Sequence, residues 1–204
     1  MIAIIDYGMG NLRSVESACR RVGLDAVISP DPARVAEAGA VILPGVGAFG
    51  EGMDNLRTAG FDTLLPQIAA DGRPILGICL GLQLLFTTSD EHGRHEGLDI
   101  LPGRVVRFGD DLTVPHMGWN QVDPAEPPSA LFDGIAAGSH FYFAHSYYVA
   151  PDDPADTIAA TDYGAAYTSA AARGNVFGVQ FHPEKSASVG ERLLTNFARL
   201  AGEK

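Results

Sequence analysis

A cysteine between two glycines is the sharpest chemical signal in the sequence. Residues 77–81 read Gly-Ile-Cys-Leu-Gly and stand between one apolar stretch that predicts a strand and another that predicts a helix. A strand-to-helix turn this tight leaves no room for Cβ atoms beside its central residue, and Gly77 and Gly81 meet that demand. The helix N-terminus would favour the thiolate of Cys79. The pattern therefore predicts a nucleophilic cysteine, with a small buried side chain as the alternative.

A general base and its orienting partner follow late in the chain. His182 and Glu184 are two positions apart, so in an extended segment their side chains leave on the same side. Pro183 biases His182 toward extended dihedral angles. Taken alone, His182 is better interpreted as a surface histidine at a strand end. Together with Cys79, the pair predicts a Cys-His-Glu triad for acyl transfer.

A glycine-rich loop after another apolar strand has more than one interpretation. Gly45, Gly47 and Gly50 spell the dinucleotide-binding pattern Gly-x-Gly-x-x-Gly. That site also requires an acidic residue about 20 positions on, at the end of the next strand, whereas Asp71 precedes its strand. Alternatively, the glycines let a peptide rotate until its N–H faces an acyl oxygen. A loop that merely turns the chain is the third interpretation.

The elements that must position these residues alternate between strand and helix in the first half of the chain. Apolar strands are predicted at residues 2–5, 26–28, 40–43 and 74–78, and helices at residues 12–22, from Asp31 onward, and at 61–70 and 80–87. Continuous apolar strands separated by helices indicate a parallel sheet that is covered on both faces. The apolar stripe of the first helix places Cys19 in the core.

The second half of the chain is predicted to contain mostly short strands. Short strands are predicted at residues 104–108, 119–122, 141–149, 157–161, 165–170 and 176–181, with a hairpin over 157–170. The last helix is predicted to begin at a capping box formed by residues 188–191. The expected fold class is therefore α/β: a three-layer open, mostly parallel sheet with helices on both faces, and added antiparallel strands in the second half.

Composition limits the class of protein. The 204 residues fit one domain, residues 1–204, and 46% hydrophobic with 19% charged residues is typical of a globular chain. The net charge of -11 disfavours nucleic acid and anionic membranes as partners. Two cysteines do not form a secreted disulfide pattern, and no apolar run approaches the ~20 residues of a membrane span. We therefore expect a soluble, cytoplasmic protein. A solvated loop explains His92 and His95 better than a metal site does, because no further ligand cluster supports one.

Six segments of the chain carry a resemblance to a known family. Residues 77–83 and 177–184 together resemble the class I, or triad, glutamine amidotransferases. Within that class, the similarity to the glutaminase subunits of imidazole glycerol phosphate synthases is carried by residues 6–12, 44–49, 115–120 and 141–147. The matches extend from residue 6 to residue 186, which is nearly the whole chain.

The resemblance implies an activity and a partner. It implies that the chain hydrolyses glutamine to glutamate and ammonia without a metal or organic cofactor. It also implies a heterodimer with a (β/α)8-barrel cyclase subunit, which would use the ammonia in histidine biosynthesis. Three alternatives remain open: a glutaminase for a different synthase, a stand-alone γ-glutamyl hydrolase, and a nucleotide-binding module that uses the Gly45 loop.

The resemblance also implies roles for individual residues. The amide N–H groups of Val46 and Leu80 would form the oxyanion hole. Gln83 lies one helical turn beyond Cys79 on the same face, which suits a substrate contact. The other implied substrate-binding residues are Gly47 and the backbone of His145, Ser146 and Tyr147. The implied partner-facing residues are Asn11, Trp119 and Tyr142, although Trp119 would also fit a core position.

Overall fold

The computed structural model describes residues 1–202, and its first half alternates strands and helices. Its elements are β1 (Ile2–Ile5), α1 (Leu12–Arg21), β2 (Ala26–Ser29), α2 (Pro32–Ala36), β3 (Ala40–Gly45), α3 (Phe49–Ala59), α4 (Phe61–Ala70), β4 (Ile75–Cys79) and α5 (Leu80–Leu84). The side chain of Asp31 accepts a hydrogen bond from the Ala33 N–H, so the predicted cap of α2 is confirmed. No helix within residues 1–202 is long and apolar enough to cross a membrane.

The second half is mostly strand. Its elements are β5 (Phe86–Ser89), β6 (His95–Glu96), β7 (Leu101–Arg107), β8 (His116–Pro124), β9 (Ser139–His145), β10 (Tyr147–Pro151), β11 (Thr157–Asp162), β12 (Ala166–Arg173), β13 (Val176–Val179) and α6 (Ala187–Leu200). Short 3-10 turns lie at Ala130–Phe132, Pro154–Asp156 and Pro183–Lys185. The predicted hairpin is confirmed by the antiparallel pairing of β11 with β12.

One large sheet holds the molecule together. Its main path runs β2-β1-β3-β4-β13-β12-β10-β7-β5-β6, and β11, β8 and β9 extend it from β12. The five strands from β2 to β13 are parallel to one another, and from β12 onward the pairs are antiparallel except for that of β5 with β7. Because β13 inserts beside β4, the end of the chain returns to the strand that carries the predicted nucleophile.

Apolar side chains enter two cores, one on each face of the sheet. Ile2 and Ile4 belong to one core, and Ala3 and Ile5 belong to the other, as the alternation of a fully buried strand requires. Helices α1 and α6 cover the first core, and α3, α4 and α5 cover the second. The predicted three-layer α/β architecture is confirmed.

Three predictions about the bounds or caps of elements are wrong, and one helix was missed. The helix predicted over 80–87 ends at Leu84, because the following residues pair with β7 as a strand. Helix α3 was not predicted, since its two glycines lower helix propensity. The strand predicted over 141–149 is interrupted at Ser146. No capping box starts α6: that helix begins at Ala187, and the hydroxyl of Ser186 donates to the carbonyl of His182.

Candidate active site

The turn that carries Cys79 has the geometry predicted for a nucleophile elbow. Cys79 has φ 55° and ψ -109° and immediately precedes helix α5. A Cβ atom on Gly77 would lie 2.7 Å from the carbonyl oxygen of Gly81, and one on Gly81 would overlap the carbonyl oxygen of Leu43. Only glycine fits at either position, so sterics fix the direction in which the Cys79 side chain leaves the sheet.

His182 and Glu184 form a buried hydrogen-bonded pair. Nδ1 of His182 lies 2.9 Å from Oε1 of Glu184, and the two side chains are 4% and 2% exposed. The segment is not extended as expected: His182 is extended, but Pro183–Lys185 forms a 3-10 turn that brings the carboxylate back to the ring. Burial alone would lower the pKa of His182, but hydrogen bonds and charge interactions with Cys79 and Glu184 outweigh burial and raise that pKa to about 10.

Two further contacts hold His182 against strand β9. Its backbone N–H donates to the Tyr142 carbonyl at 2.9 Å. The Ser186 hydroxyl donates to the carbonyl of His182 at 2.6 Å and accepts from the Tyr142 N–H at 3.0 Å. Sequence reasoning missed Ser186, whose only signal was its position just after the 182–184 segment.

One cavity of about 220 Å³ collects the residues predicted for the oxyanion hole and for substrate binding. It is lined by Val46, Gly47, Cys79, Leu80, Gln83, Glu91, Pro115, Met117, Ala144, His145, Ser146 and Tyr147. Every one of the predicted oxyanion and substrate residues is among them. The structure therefore places these residues together around the Cys79 thiol, although they come from three separate stretches of the chain.

Gln83 and Gln180 form a buried amide pair at the base of the cavity. The amide nitrogen of Gln83 donates to the Tyr147 carbonyl at 3.0 Å and to Oε1 of Gln180 at 3.2 Å. The amide nitrogen of Gln180 lies 3.7 Å from Sγ of Cys79. Sequence reasoning missed Gln180, a polar residue in an otherwise apolar run that leads to His182.

The glycine loop leads into helix α3, and a carboxylate already occupies that helix N-terminus. Oε2 of Glu91 accepts the backbone N–H of Phe49 at 2.7 Å. A Cβ atom on Gly50 would lie 2.7 Å from the ring of His95. A bound pyrophosphate would need the position that Glu91 fills. The geometry thus argues against the dinucleotide-binding alternative.

Three large hydrophobic side chains are exposed within residues 1–202, and they lie at or beside the cavity mouth. Val46 is 42%, Met117 64% and Trp119 54% exposed. Val46 and Met117 line the cavity, and Trp119 follows Met117 on the same face of strand β8. Trp119 stacks edge-on against Tyr142 of β9, with ring centroids 6.2 Å apart. It is therefore not a core residue. Asn11 is also exposed.

The sequence profile described as glutamine amidotransferase class-I matches residues 3–200. This chain belongs to the class I glutamine amidotransferase family. The predicted resemblance is thereby confirmed. The chain is 53% identical to a protein of Syntrophotalea carbinolica, and the match covers 97% of this chain and 98% of that protein. It is 51% identical to one of Symbiobacterium thermophilum (98% and 93%) and 52% identical to one of Moorella thermoacetica (98% and 94%). Each is named imidazole glycerol phosphate synthase subunit HisH.

Solved structures share the fold at low sequence identity. A crystal structure titled as a glutamine amidotransferase superposes with a TM-score of 0.78 at 20% identity, covering 99% of this chain and all of the other. A structure titled PurLQS from Thermotoga maritima gives a TM-score of 0.76 at 17% identity, covering 97% of each chain. These likenesses establish the architecture of the sheet and its helices.

Membership of the class I amidotransferases makes the chain an enzyme with a cysteine nucleophile. Of its two cysteines, Cys19 lies on helix α1 and is fully buried in the core, and burial raises the pKa of its thiol to about 12. Cys79 lines the cavity instead. Among residues 1–202, no group of three or more His, Cys, Asp or Glu side chains is arranged to hold a metal ion.

Proposed function

We propose that the chain, acting as one domain over residues 1–204, is the glutaminase subunit of an imidazole glycerol phosphate synthase. The observation that carries the proposal is the composition of the cavity. Cys79, the oxyanion residues Val46 and Leu80, and the residues predicted to bind substrate all line it. The His182–Glu184 pair approaches the same thiol from the neighbouring strand. Relatives about half identical over nearly the whole chain bear the name of that synthase's subunit.

In this mechanism, the thiolate of Cys79 attacks the side-chain amide carbon of glutamine, and the C–N bond then breaks. The N–H groups of Val46 and Leu80 stabilise the oxyanion that forms on the amide oxygen. His182, whose raised pKa keeps the ring protonated near neutral pH, donates a proton to the amide nitrogen, which leaves as ammonia. It then accepts a proton from the water that hydrolyses the γ-glutamyl thioester. Glu184 holds Nδ1 of the ring throughout.

The cavity lining also suits the other end of glutamine. Within residues 1–202, Glu91 is the only charged side chain that lines it, so its carboxylate is the natural partner of the substrate ammonium group. Gln83 uses its amide nitrogen for protein contacts, which leaves its oxygen to accept from the substrate. The 145–147 backbone and Gly47 provide the remaining polar groups at the wall.

The chemistry of the product, ammonia, implies that the chain acts with a partner protein. Ammonia released into bulk water at neutral pH is protonated and dispersed, so it must pass directly to an acceptor site. The exposed side chains of Val46, Met117 and Trp119 border the cavity in which ammonia forms, and apolar exposure of this kind marks an interaction surface. We assign this surface, with Asn11 and Tyr142, to the (β/α)8-barrel cyclase.

The direct test is ammonia release from glutamine by the purified chain, with and without the cyclase loaded with its nucleotide substrate. We expect slow release by the chain alone and fast release in the complex, coupled to product formation. Coupling to another synthase's acceptor, but not to the cyclase, would favour a glutaminase for a different synthase. Rapid hydrolysis of γ-glutamyl compounds without any partner would favour a stand-alone hydrolase. Tight binding of a dinucleotide would support the remaining alternative.

A further inference from the structure

Two buried histidines lie beside the substrate cavity, and their side chains have no role in this mechanism. His116 begins strand β8 and is paired in register with His145 at the end of β9. Nδ1 of His116 lies 3.2 Å from Nε2 of His145, and the Tyr167 hydroxyl lies 3.2 Å from both of these nitrogens. The His116 ring is stacked against Phe143 and Tyr163, with centroid distances of 4.8 and 4.0 Å.

The backbone fixes the direction of the hydrogen bonds at one end of this group. The side-chain oxygen of Asn120 accepts from the Gln121 N–H at 2.8 Å, and its nitrogen donates to the Asp162 carbonyl at 2.9 Å. The orientation of the Asn120 amide is therefore determined. Its nitrogen also lies 3.2 Å from Nε2 of His116, so that ring nitrogen is an acceptor.

The backbone fixes the direction at the other end as well. Nδ1 of His145 lies 2.8 Å from the Tyr147 carbonyl, which can only accept, so Nδ1 carries the proton. Burial lowers the pKa of His116 to about 4 and that of His145 to about 3, so both rings are neutral near pH 7. Each ring is then the Nδ1–H tautomer, and the N–H of His116 donates to the bare Nε2 of His145.

This line of hydrogen bonds ends at the substrate site. The Tyr147 carbonyl, which accepts from His145, also accepts from Gln83, and Gln83 reaches Cys79 through Gln180. The corner at Ser146, where β9 ends and β10 begins, is part of the cavity wall. With the other tautomer of His145, a ring lone pair would face the Tyr147 carbonyl and the corner would lose this support.

We propose that His116 is a positioning residue for glutamine, because it fixes His145 as the Nδ1–H tautomer and thereby holds the corner at Ser146. Asn120 supports the same tautomer of His116, because its amide nitrogen donates to Nε2 of that ring. This inference rests on the proposed glutaminase function, and it adds a role for His116 and Asn120, which are not among the residues that line the cavity. Since β8 also carries Met117 and Trp119, the same strand that presents the exposed surface supports the substrate wall.

The test compares Asn120→Asp with the matched control Asn120→Ala. Aspartate offers only acceptors and demands a proton on Nε2 of His116, whereas alanine removes the donor without imposing an acceptor. Nitrogen-15 NMR of the full chain identifies the tautomer of each histidine and does not depend on enzymatic activity. We expect Nδ1–H on both rings in the wild type and in Asn120→Ala, and a proton on Nε2 of His116 in Asn120→Asp.

The kinetic arm uses the complex with the cyclase. We expect the KM for glutamine to rise about tenfold in Asn120→Asp and about threefold in Asn120→Ala, the scale of one hydrogen bond, with a smaller change in kcat. His116→Phe, which keeps the ring between Phe143 and Tyr163, should match Asn120→Asp in KM. It serves as the second variant if the aspartate variant fails to fold.

Two results would overturn the inference. One is a proton on Nε2 of either histidine in the wild type. The other is a KM for glutamine in His116→Phe equal to that of the wild type. Synthesis driven by added ammonium should be unchanged in all variants, because it bypasses the glutamine site. A wild-type complex that releases no ammonia from glutamine would contradict the proposed function instead, and the tautomers would still be measurable.

Discussion

Two turns at the ends of neighbouring strands differ in how tightly the structure holds them. Gly45 at the end of β3 is paired in register with Cys79 at the end of β4. The turn after β4 is packed so closely that a Cβ atom at Gly81 would overlap backbone. In the turn after β3, Val46 is exposed, and a Cβ atom at Gly47 would meet only the terminal methyl of Met9. The turn after β4 is therefore the more tightly packed of the two, and we predict that the Gly45–Val46 peptide is the part that rotates.

The difference separates two tasks in catalysis. A nucleophile gains from a fixed position, because its direction of attack is then set before the substrate binds. An oxyanion donor that rotates into place only when a partner docks keeps glutamine from being hydrolysed without an acceptor. Gly47, which follows Val46, has φ 110°, a conformation that favours glycine.

The largest expected effect tests the fixed turn. Cys79→Ala should abolish glutamine-dependent synthesis, by on the order of 10⁴-fold or more, because no other thiol lines the cavity. Synthesis from added ammonium salt should remain, since the acceptor chemistry belongs to the partner. Cys19→Ala is the matched control and should keep glutamine-dependent activity. A glutamine-analogue electrophile should label Cys79 and spare Cys19 in mass mapping. An equal fall of the ammonium-driven rate in Cys79→Ala would contradict this division of labour.

The next effect concerns the proton carrier that serves the fixed nucleophile. His182→Ala should lower steady-state ammonia release in the complex by roughly 10³- to 10⁴-fold, because His182 both donates and accepts the proton. Glu184→Ala should lower it less, because the carboxylate only orients the ring at 2.9 Å. Losses in the opposite order would show that these roles are assigned incorrectly.

Substituting one glycine in each turn compares them directly. Gly81→Ala should reduce the free energy of unfolding by more than about 4 kcal/mol, because the methyl group would overlap backbone. Gly47→Ala should cost only about 1–3 kcal/mol, the strain of a positive φ, because the Met9 methyl can move aside. Denaturant unfolding measures both. Gly47→Ala should nevertheless lose glutaminase activity, and equal losses of stability would remove the distinction between the turns.

The movable turn also predicts activation by the partner. One missing oxyanion donor is worth about 2.7 to 4 kcal/mol, so docking of the cyclase should raise glutaminase activity at least roughly a hundredfold. Trp119→Ala and Tyr142→Ala should weaken this activation while the fold and the alkylation rate of Cys79 stay unchanged. A full-rate glutaminase without any partner would show that the oxyanion hole is already formed.

The smallest effect is on stability as a function of pH. The pKa of His182 is raised to about 10, above its ordinary value near 6.5, so its contribution to stability is complete below about pH 6.5. That contribution is lost as the pH rises through 10. The difference in unfolding free energy between the wild type and His182→Asn should therefore shrink from pH 6 to pH 10. A difference independent of pH would mean that the imidazolium form is not stabilised.

Much of the site was readable from short stretches of sequence. The glycines beside Cys79 and the closeness of His182 and Glu184 in sequence are local features, although a 3-10 turn rather than an extended segment joins the latter two. Apolar runs, which are also local features, predicted the buried parallel strands. The roles of Gly47, Gln83 and the 145–147 backbone, in contrast, came from the family resemblance, and the cavity lining is consistent with them.

Tertiary structure alone decided the rest. The apolar residues after Leu84 fit a helix or a strand equally well, and pairing with β7 selected the strand. The insertion of β13 beside β4 brings Gln180 to Gln83 across 97 positions, and the register of β8 with β9 joins His116 to His145. Hydrophobic periodicity reports whether a residue is buried, but not which distant residue it meets. That depends on the order of strands in the sheet, which is set by the packing of the whole chain.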